Sequence, residues 1–451
     1  MVLNELYSHR RSGNSSQSVV RRNDFQRDYD RIIFSSAFRR LQNKTQVFPL
    51  PGSVFVHNRL THSLEVSTVG RSLGSLAGEL LVQKFEAQLT QNSKEFYLHQ
   101  LSEVIAAACL CHDVGNPAFG HSGEDAIASY FERNASELSA LFTPQKWADL
   151  VNFEGNANAI RVLTHQQSGK DYGGTQLTFT TLAAIAKYPC SSLGKDKKFV
   201  HRKKFGFFET EQEVFTQMAN ETHMNQESSD PLIYERHPFV WLVEAADDIC
   251  YNIIDMEDAH RLKIVPTSSV EELFFELIRS ENADTSRVDE KLKWISNANE
   301  RISYLRAKVI NALINKAIEV FRTDMDLIIE GKLSKGLVDT FRKESAALGE
   351  IESFSIQEIY GHRSVVEIEN AGYNVMYELL DHFIPPILKE KKDRKSYETK
   401  AVDLLPSQFL YEEDGLYKRV RGVLDFISGM TDNYATDLYR KIKGIEIGMS
   451  V

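Results

Sequence analysis

Apolar residues recur at helical spacing over most of this 451-residue chain, and this periodicity is the sequence feature that most restricts the fold. Such spacing places apolar side chains on one face of an α-helix. The periodic segments are 64–89, 100–112, 124–142, 149–164, 238–260, 301–325 and 365–390. Because alternating runs of β-branched residues are scarce, the sequence predicts an all-α protein with at most a small β-hairpin near residues 45–58.

The length of the chain and the breaks in its periodicity predict three segments. Since 451 residues exceed what one hydrophobic core usually supports, two folded units are expected after a flexible N-terminal lead-in at 1–24. The first unit, 25–265, contains a long polar loop at 191–235 and a shorter non-periodic stretch at 166–178. The second unit, 266–451, is expected to be a helical C-terminal lobe.

A net charge of −10 and a pI near 5.8 make the surface as a whole repel nucleic acid and anionic lipid. Any phosphate-bearing ligand must therefore meet local positive charge. The four cysteines, Cys109, Cys111, Cys190 and Cys250, are too few for a disulfide framework and include no C-x-x-C pair for zinc. Neither an apolar signal segment nor a bilayer-spanning apolar run is found, so a reducing cytoplasm and no membrane partner are expected.

The stretch ACLCHDVGNPAFGHSGEDA, residues 107–125, ends a predicted helix in a histidine and an aspartate. His112 shares a helix face with a set of apolar residues and therefore points inward. That set is Leu101, Val104, Ile105 and Ala108. Asp113 follows at the helix end, where Gly115 and Pro117 bend the chain and could let both side chains approach one ion. The alternative is a core histidine that is hydrogen-bonded to a terminal aspartate.

Two further segments put ionisable side chains on apolar helix faces. His62 shares a face with Val66, Val69 and Leu73. Asp247, Tyr251 and Asp255 are spaced by four residues and line one side of another helix. Burial of each such group costs roughly several kcal/mol unless the group is paired or bound to a cation. A shared metal removes that cost, and a site of two imidazoles and two carboxylates suits Mn, Fe, Mg, Zn or Co.

A set of motifs occurs along the chain in a fixed order. The motifs are RDYDRIIFSSAFRRLQNKTQVF, THSLEV, CHDVGNPAFGHSGE, FEGNANAIRVL, AKYPC, KKFGFF and VEAADDICYNIIDMEDA. In these motifs the chain resembles the HD-domain deoxynucleoside triphosphate triphosphohydrolases, in particular their dGTPase-like branch. The resemblance is dense over about residues 20–260 and looser in the C-terminal third, around IYGHRSVVEIE.

The resemblance implies a fold and an activity. The fold would be an all-α HD-domain core, with a helical C-terminal lobe that completes the pocket and carries the contacts of a homo-oligomer. The activity would be hydrolysis of a dNTP, with dGTP favoured, to the deoxynucleoside and inorganic triphosphate.

The resemblance also implies which residues hold the metal and move the proton. The implied metal ligands are His62, His112, Asp113 and Asp247. The ion is Mn, Mg, Fe, Co, Ni or Zn, and the sequence does not choose among them. His121 would protonate the departing 5'-oxygen, and Glu124 would orient His121 or the attacking water, unless Glu124 is only a first-turn carboxylate favoured by the helix dipole. His57 and Asp248 are not expected among the ligands.

The residues implied to bind the substrate are Gln46, Arg59, Asn116, Lys187, Tyr251 and Asp255. Arg59 and Lys187 would gather the phosphates, although each could instead be a surface ion-pair partner. Gln46 and Asp255 would hold the 3'-hydroxyl. Tyr251 would pack on the sugar or reach phosphate, or else be a core tyrosine, and Asn116 would lie near the phosphates or simply end its helix.

Two other functions are compatible with the sequence. HD arrangements also serve nucleotide phosphohydrolases and phosphodiesterases that release other products. A regulator that binds nucleotides or single-stranded DNA would use the basic run KDKKFVHRKK at 195–204, which has six Lys or Arg in ten positions. Such a run is otherwise a solvated loop. A nucleotide or single-stranded DNA effector is therefore a second partner to test for, beside the dNTP substrate.

Overall fold

A computed structural model describes residues 2–13, 22–48, 55–166, 173–280, 285–343, 345–412 and 414–446. The chain is helical over most of these residues, and its one two-stranded antiparallel sheet pairs Gln226–Ser229 (β1) with Leu232–Tyr234 (β2) in the described ranges. The predicted all-α class is confirmed. No helix within the same ranges is long and apolar enough to cross a bilayer.

The α-helices up to residue 261 are α1 (Asp24–Phe34), α2 (Ser36–Arg40), α3 (Arg59–Phe85), α4 (Gln91–His99), α5 (Leu101–Cys111), α6 (Gly120–Arg133), α7 (Ala135–Leu138), α8 (Pro144–Val151), α9 (Gly155–Thr164), α10 (Phe179–Ile185), α11 (Gln212–Glu221) and α12 (Val240–Arg261). The later ones are α13 (Thr267–Ser280), α14 (Ser286–Lys293), α15 (Ala298–Thr323), α16 (Met325–Glu330), α17 (Leu337–Arg342), α18 (Ala346–Phe354), α19 (Arg363–Leu388), α20 (Ser396–Asp403), α21 (Leu416–Ser428) and α22 (Asp432–Ile442). A π-helical segment, Ser355–Tyr360, joins α18 to α19. Short 3-10 helices lie at Leu3–Glu5, Leu41–Asn43, Ser139–Leu141, Ser192–Gly194, Val200–Arg202, Glu209–Glu211, Lys391–Asp393 and Ser407–Phe409.

The most extensive helix–helix contact is between α3 and α5, and α12 packs against both of these helices. Glycines on α3 allow the close approach, because a Cβ at Gly70 would lie 2.4 Å from Cys109 Sγ. A Cβ at Gly74 would lie 2.9 Å from the Cα of Ser102, which is also on α5. This tight packing sets the relative positions of the polar side chains that α3, α5 and α12 carry.

The apolar packing is not divided at the predicted boundary between residues 265 and 266. One buried apolar cluster extends from Leu3 to Val365 and includes α13, α15 and α18. A second cluster joins α6 and α8 to α19 and α21. The reason is that α19 lies along α6, so that C-terminal helices cover a helix from the N-terminal half.

Three local predictions differ from the structure. Residues 2–13 of the predicted flexible lead-in are packed, because Leu6 is buried in the core and Arg11 pairs with the buried Asp28. The predicted loop at 191–235 contains α11, β1 and β2. The predicted hairpin near 45–58 shows a single antiparallel bridge between Thr45 and Asn58 in its described part. Residues 14–21, 49–54 and 167–172, on which these predictions and the loop at 166–178 partly fall, lie outside the described residues.

Candidate active site

A cavity of about 310 Å³ opens where α3, α5, α6, α9 and α12 meet. Its polar lining is Gln46, Arg59, His62, His112, Asp113, Asn116, His121, Glu124, Glu154, Asn156, Lys187, Tyr188, Lys204, Glu244, Asp247 and Tyr251. Every site residue predicted from the sequence is in this lining except Asp255. The folded chain therefore brings together side chains that are up to about 200 residues apart.

Two histidines and one aspartate converge on a single point of the cavity. His62 Nε2 lies 3.1 Å and His112 Nε2 lies 3.6 Å from the same oxygen, Asp247 Oδ1. One ligand atom from each of the three residues lies within 4.8 Å of the other two. Burial would raise the pKa of Asp247, but the two imidazoles outweigh burial and hold this pKa far below its usual range. This set has the donors and the spacing of a site for a divalent cation.

Local structure orients these ligands. His112 caps the C-terminus of α5, where its Nδ1 donates a hydrogen bond of 2.7 Å to the carbonyl oxygen of Cys109. This bond leaves Nε2 free to face the cavity, as in metal sites where the second ring nitrogen is held by a carbonyl. His62 lies in the first turn of α3, which begins at a capping box formed by Asn58 and Thr61.

Asp113, the fourth predicted ligand, lies beside this set but has other partners. Its Oδ2 accepts a hydrogen bond of 2.8 Å from Arg59 Nη1, and its Oδ1 accepts one of 2.5 Å from Asn116 Nδ2. The distance from Oδ2 to His112 Nε2 is 3.5 Å. Burial would raise the pKa of Asp113, but the Arg59 guanidinium outweighs burial and lowers it. Asp113 is therefore ionised and adjacent to the three converging ligands.

His121 and Glu124 form a hydrogen-bonded pair at the start of α6. The distance from His121 Nδ1 to Glu124 Oε2 is 2.8 Å, and Glu124 Oε1 accepts a bond of 2.7 Å from the backbone N–H of Gly155. The hydrogen bond to Glu124 raises the pKa of His121. The His121 side chain is 82% exposed and Glu124 only 9%, so the imidazole is free to meet a ligand while its partner is held in place.

Gly155 and Gly120 make this corner of the cavity possible. A Cβ at Gly155 would lie 2.3 Å from Asn116 Oδ1 and 2.6 Å from Glu124 Oε1. Gly120 has a φ of +56°, and a Cβ there would lie 2.6 Å from Arg59 Nη2. The glycine at 155 thus lets the N-terminus of α9 reach Glu124.

Arg59, Lys187 and Lys204 line the same cavity, each beside a carboxylate, and the buried Arg236, outside the lining, also contacts Glu244. Lys187 Nζ lies 3.1 Å from Glu244 Oε1, and Arg236 Nη1 lies 2.8 Å from Glu244 Oε2. Burial would raise the pKa of Glu244, but these two cations outweigh burial and lower it to about 2. Arg59 Nε and Gln46 Oε1 are buried and have no hydrogen-bond partner among the residues that the structure describes. Both residues line the cavity, and in the described part of the chain these two buried atoms are a donor and an acceptor without a partner beneath the cavity surface.

Asp255 does not line the cavity, which differs from the expected sugar contact. It is 2% exposed, and its Oδ2 accepts a hydrogen bond of 2.8 Å from the hydroxyl of Tyr360. The Tyr360 ring stacks on Tyr251 with a centroid separation of 5.8 Å. Burial raises the pKa of Asp255 well above its usual range. Helical spacing places Asp255 on the correct face of α12, but the π-helical segment before α19 covers it.

Five cavity residues were not predicted from the sequence as active-site residues, although they lie in the motifs that carry the family resemblance. These residues are Glu154, Asn156, Tyr188, Lys204 and Glu244. Glu154 and Asn156 belong to FEGNANAIRVL, Tyr188 to AKYPC and Lys204 to KKFGFF. The signal was therefore present in the motifs, but a polar residue at the start of a helix or in a basic run has ordinary structural explanations. His57 and Asp248 do not line the cavity.

Comparison with known proteins shows similarity over nearly the whole chain. The HD domain family model matches residues 59–168, and the phosphohydrolase-associated domain model matches residues 340–441. A deoxyguanosinetriphosphate triphosphohydrolase-like protein of Synechocystis is 36% identical, with 99% of this chain and 100% of that protein covered. One of Listeria monocytogenes is 36% identical, with 95% and 96% covered. The deoxyguanosinetriphosphate triphosphohydrolase of Salmonella enteritidis is 30% identical, with 94% of each covered.

Proposed function

The chain belongs to the deoxyguanosinetriphosphate triphosphohydrolase-like family of HD-domain phosphohydrolases, and we propose from this membership that it hydrolyses a deoxynucleoside triphosphate. The products would be the deoxynucleoside and inorganic triphosphate, and dGTP is the first substrate to test. The observation that carries the proposal is one cavity that holds a His62–His112–Asp247 set beside the His121–Glu124 pair and unpaired polar atoms.

The proposed metal site consists of His62, His112 and Asp247, with the ionised Asp113 as the adjacent fourth ligand. The donor set fits the group because two imidazoles approach the same oxygen of Asp247 and all three residues are held by helices. When bound, a divalent ion such as Mn, Mg, Fe, Co, Ni or Zn would polarise a phosphoryl oxygen and make water more acidic. The remaining steps depend on side chains of the chain itself.

His121 is the proposed proton donor. Attack of water at the α-phosphorus expels the 5'-oxygen of the nucleoside, which leaves poorly unless it receives a proton. With Nδ1 hydrogen-bonded to Glu124, the protonated imidazole donates from Nε2 to the 5'-oxygen and later regains a proton from solvent. The raised pKa of His121 increases the protonated fraction near neutral pH.

The proposed substrate contacts follow from the charges of the cavity wall. The phosphates need cations because the protein is acidic overall, and Arg59 and Lys187 lie at the cavity with Arg59 Nε unused. Gln46, with its buried unused oxygen, is proposed to accept the 3'-hydroxyl. Tyr251 would pack against the sugar, and Asn116 holds Asp113 rather than pointing freely at the phosphates.

Product analysis tests this proposal. Purified protein is incubated with each dNTP and rNTP and with Mn²⁺ or Mg²⁺, and the products are separated by chromatography. We expect intact triphosphate and the nucleoside, with turnover lost after chelation and reduced by about 10³-fold or more in the D247N variant. The exposed Asp326→Asn variant is the matched control and should match the wild type.

Other outcomes have defined meanings. Orthophosphate or pyrophosphate as the product would replace the proposal with a different HD-type phosphohydrolase. Binding of nucleotide without turnover under every condition would replace it with a regulatory binding protein. The proposal includes a homo-oligomer and an effector response, which light scattering and assays with mixed dNTPs or single-stranded DNA test separately.

A further inference from the structure

Among the lysines of the basic run at 195–204, only Lys204 lines the active-site cavity, while Arg202 is packed over the Phe199 ring. Lys195, Lys197, Lys198 and Lys203 are exposed, as expected of a solvated loop. Lys204, the last residue of the run, has a side chain that is 33% exposed and lines the active-site cavity. The position of Lys204 at the cavity therefore distinguishes it from the other lysines of the run.

Lys204 lies between two carboxylates that hold the start of α9. Its Nζ is 3.0 Å from Glu154 Oε1 and 4.0 Å from Glu124 Oε2. Glu154 caps α9 by accepting a hydrogen bond from the backbone N–H of Asn156, and Glu124 accepts one from Gly155. One ammonium group thus serves both carboxylates at a single helix N-terminus.

Without Lys204, the negative charges of Glu124 and Glu154 would lie side by side with no cation of the described residues in contact with both. Glu124 and Glu154 are 9% and 7% exposed; burial and the adjacent charge of Glu124 raise the pKa of Glu154, whereas Lys204 lowers it. The other charged groups that face the His121–Glu124 pair are Arg59 on α3 and Lys204. Because Arg59 is engaged by Asp113, Lys204 is the cation that directly contacts the pair of glutamates.

We infer that Lys204 is a positioning residue for proton donation: it keeps Glu124 and Glu154 ionised side by side, and so holds His121 in the Glu124-bound orientation. The inference rests on the proposed function, because it takes His121 to be the proton donor. It also gives the basic run a role at the active site that requires no nucleic acid. Lys204 acts through Glu124 and needs no contact with the substrate.

Removal of the charge of Lys204 or of Glu154 should shift the pKa values of Glu124 and His121 in a predictable direction. Loss of a positive charge raises the pKa of every neighbouring acid, so K204M should raise the pKa of both Glu124 and His121. Loss of the Glu154 charge acts in the opposite direction. The double variant K204M/E154Q should therefore return both pKa values toward those of the wild type, and E154Q alone should lower them.

The experiment uses the full chain and two independent measurements. The His121 pKa is measured by NMR titration of ¹³C-labelled histidines, with its signal assigned by its absence in H121Q, so this readout does not require turnover. The pH dependence of kcat and KM is measured on the same variants with dGTP. K203M, an exposed lysine next to Lys204, is the matched control, and K204R tests whether a second cation restores the wild-type behaviour.

We expect K204M to raise the His121 pKa, move both limbs of the pH–rate profile to higher pH and lower kcat about 10- to 100-fold with little change in KM. K204R should be close to the wild type and K203M should equal it. An unchanged His121 pKa in K204M, or no reversal in K204M/E154Q, would overturn the inference. If K204M does not fold, an unchanged His121 pKa in E154Q has the same meaning.

The two proposals fail in different ways. A wild-type protein that releases no triphosphate contradicts the proposed function, whereas the NMR measurement still decides whether Lys204 controls His121. A wild-type enzyme with normal turnover, and a K204M variant with an identical pH profile and kcat, contradicts only the role of Lys204.

Discussion

His57 and His62 lie five residues apart beside the same long helix, α12, but their imidazoles have opposite surroundings. His57 Nδ1 lies 2.9 Å from Asp258 and its Nε2 lies 3.2 Å from Glu65. Burial would lower the pKa of His57, but these two carboxylates outweigh burial and raise it to about 10. His57 is thus a fully partnered cation in the interior, 4% exposed.

The two histidines of the proposed metal site lie at the wall of an open cavity. His62 and His112 share a single oxygen of Asp247, and their rings meet edge to face at 5.2 Å at the wall of a cavity. The comparison shows that a histidine beside a carboxylate is not by itself evidence of a metal site. What separates the two clusters is that His57 has a separate carboxylate for each ring nitrogen, whereas His62 and His112 both approach one oxygen of Asp247, with Asp113 beside His112, and face open space.

The largest expected effect separates the two aspartates of α12. D247N should reduce turnover by about 10³-fold or more, because metal catalysis contributes several kcal/mol and each 1.4 kcal/mol is tenfold. It should also abolish binding of Mn²⁺ measured by calorimetry. D258N, about three turns along the same helix, should keep both turnover and Mn²⁺ binding. Equal losses in the two variants would remove the distinction between the clusters.

The next largest effect is expected on kcat at His121, the proposed proton donor. H121Q should lower kcat by about 10²- to 10⁴-fold, the usual contribution of general acid catalysis, and should leave Mn²⁺ affinity unchanged. The matched control is H99Q, which makes the same change at an exposed histidine of α4. Weaker Mn²⁺ binding in H121Q would place His121 with the metal ligands instead.

A smaller effect is expected at the partnered histidine. H57Q should lower the free energy of unfolding by about 1–3 kcal/mol, because it removes the charged donor of the buried Asp258, whereas the half-buried Glu65 keeps its pairing with Arg306. Denaturant titration measures this change, and Mn²⁺ binding should be the same as in the wild type. H62Q should give the reverse pattern, with lost metal binding and a smaller change in stability.

The smallest effect is the pH dependence of that stability. The pKa of His57 rises from 6.5 in the unfolded chain to about 10 in the folded protein, so its stabilisation is complete below about pH 6.5. It is lost as the pH rises from there through about 10. The difference in unfolding free energy between the wild type and H57Q should therefore shrink between pH 6 and pH 10. A constant difference over this range would show that His57 is not held as a cation.

The sequence predicts much of the candidate site, because its motifs fix the order and spacing of polar residues on helices. His62, His112, Asp247 and His121 are brought to one cavity as expected. Asp255 is the exception, because helical spacing gives the face of α12 but not the later segment that covers it. Lys204 was missed for the converse reason, since nothing in a run of basic residues distinguishes the one that turns inward.

Two segments of the fold were also predicted incorrectly, because their structure depends on contacts with distant residues. Residues 2–13 have the composition of a flexible lead-in, yet Arg11 and Leu6 are buried by contacts with Asp28 and with distant core residues. The loop predicted at 191–235 lacks strong periodicity, yet α11 forms there because its neighbours cover one of its faces. In both segments tertiary contacts stabilise structure that local sequence preference alone does not favour.

The sequence by itself determined the all-α class, the helix faces that carry polar side chains and the set of residue types available for chemistry. These properties follow from periodicity, which is local. Only the tertiary structure decided that His62 meets Asp247 while His57 meets Asp258, that Tyr360 covers Asp255 and that Lys204 reaches Glu124. The physical reason is that a helical period specifies the direction of a side chain, whereas its partner comes from another element whose position depends on the packing of the whole core.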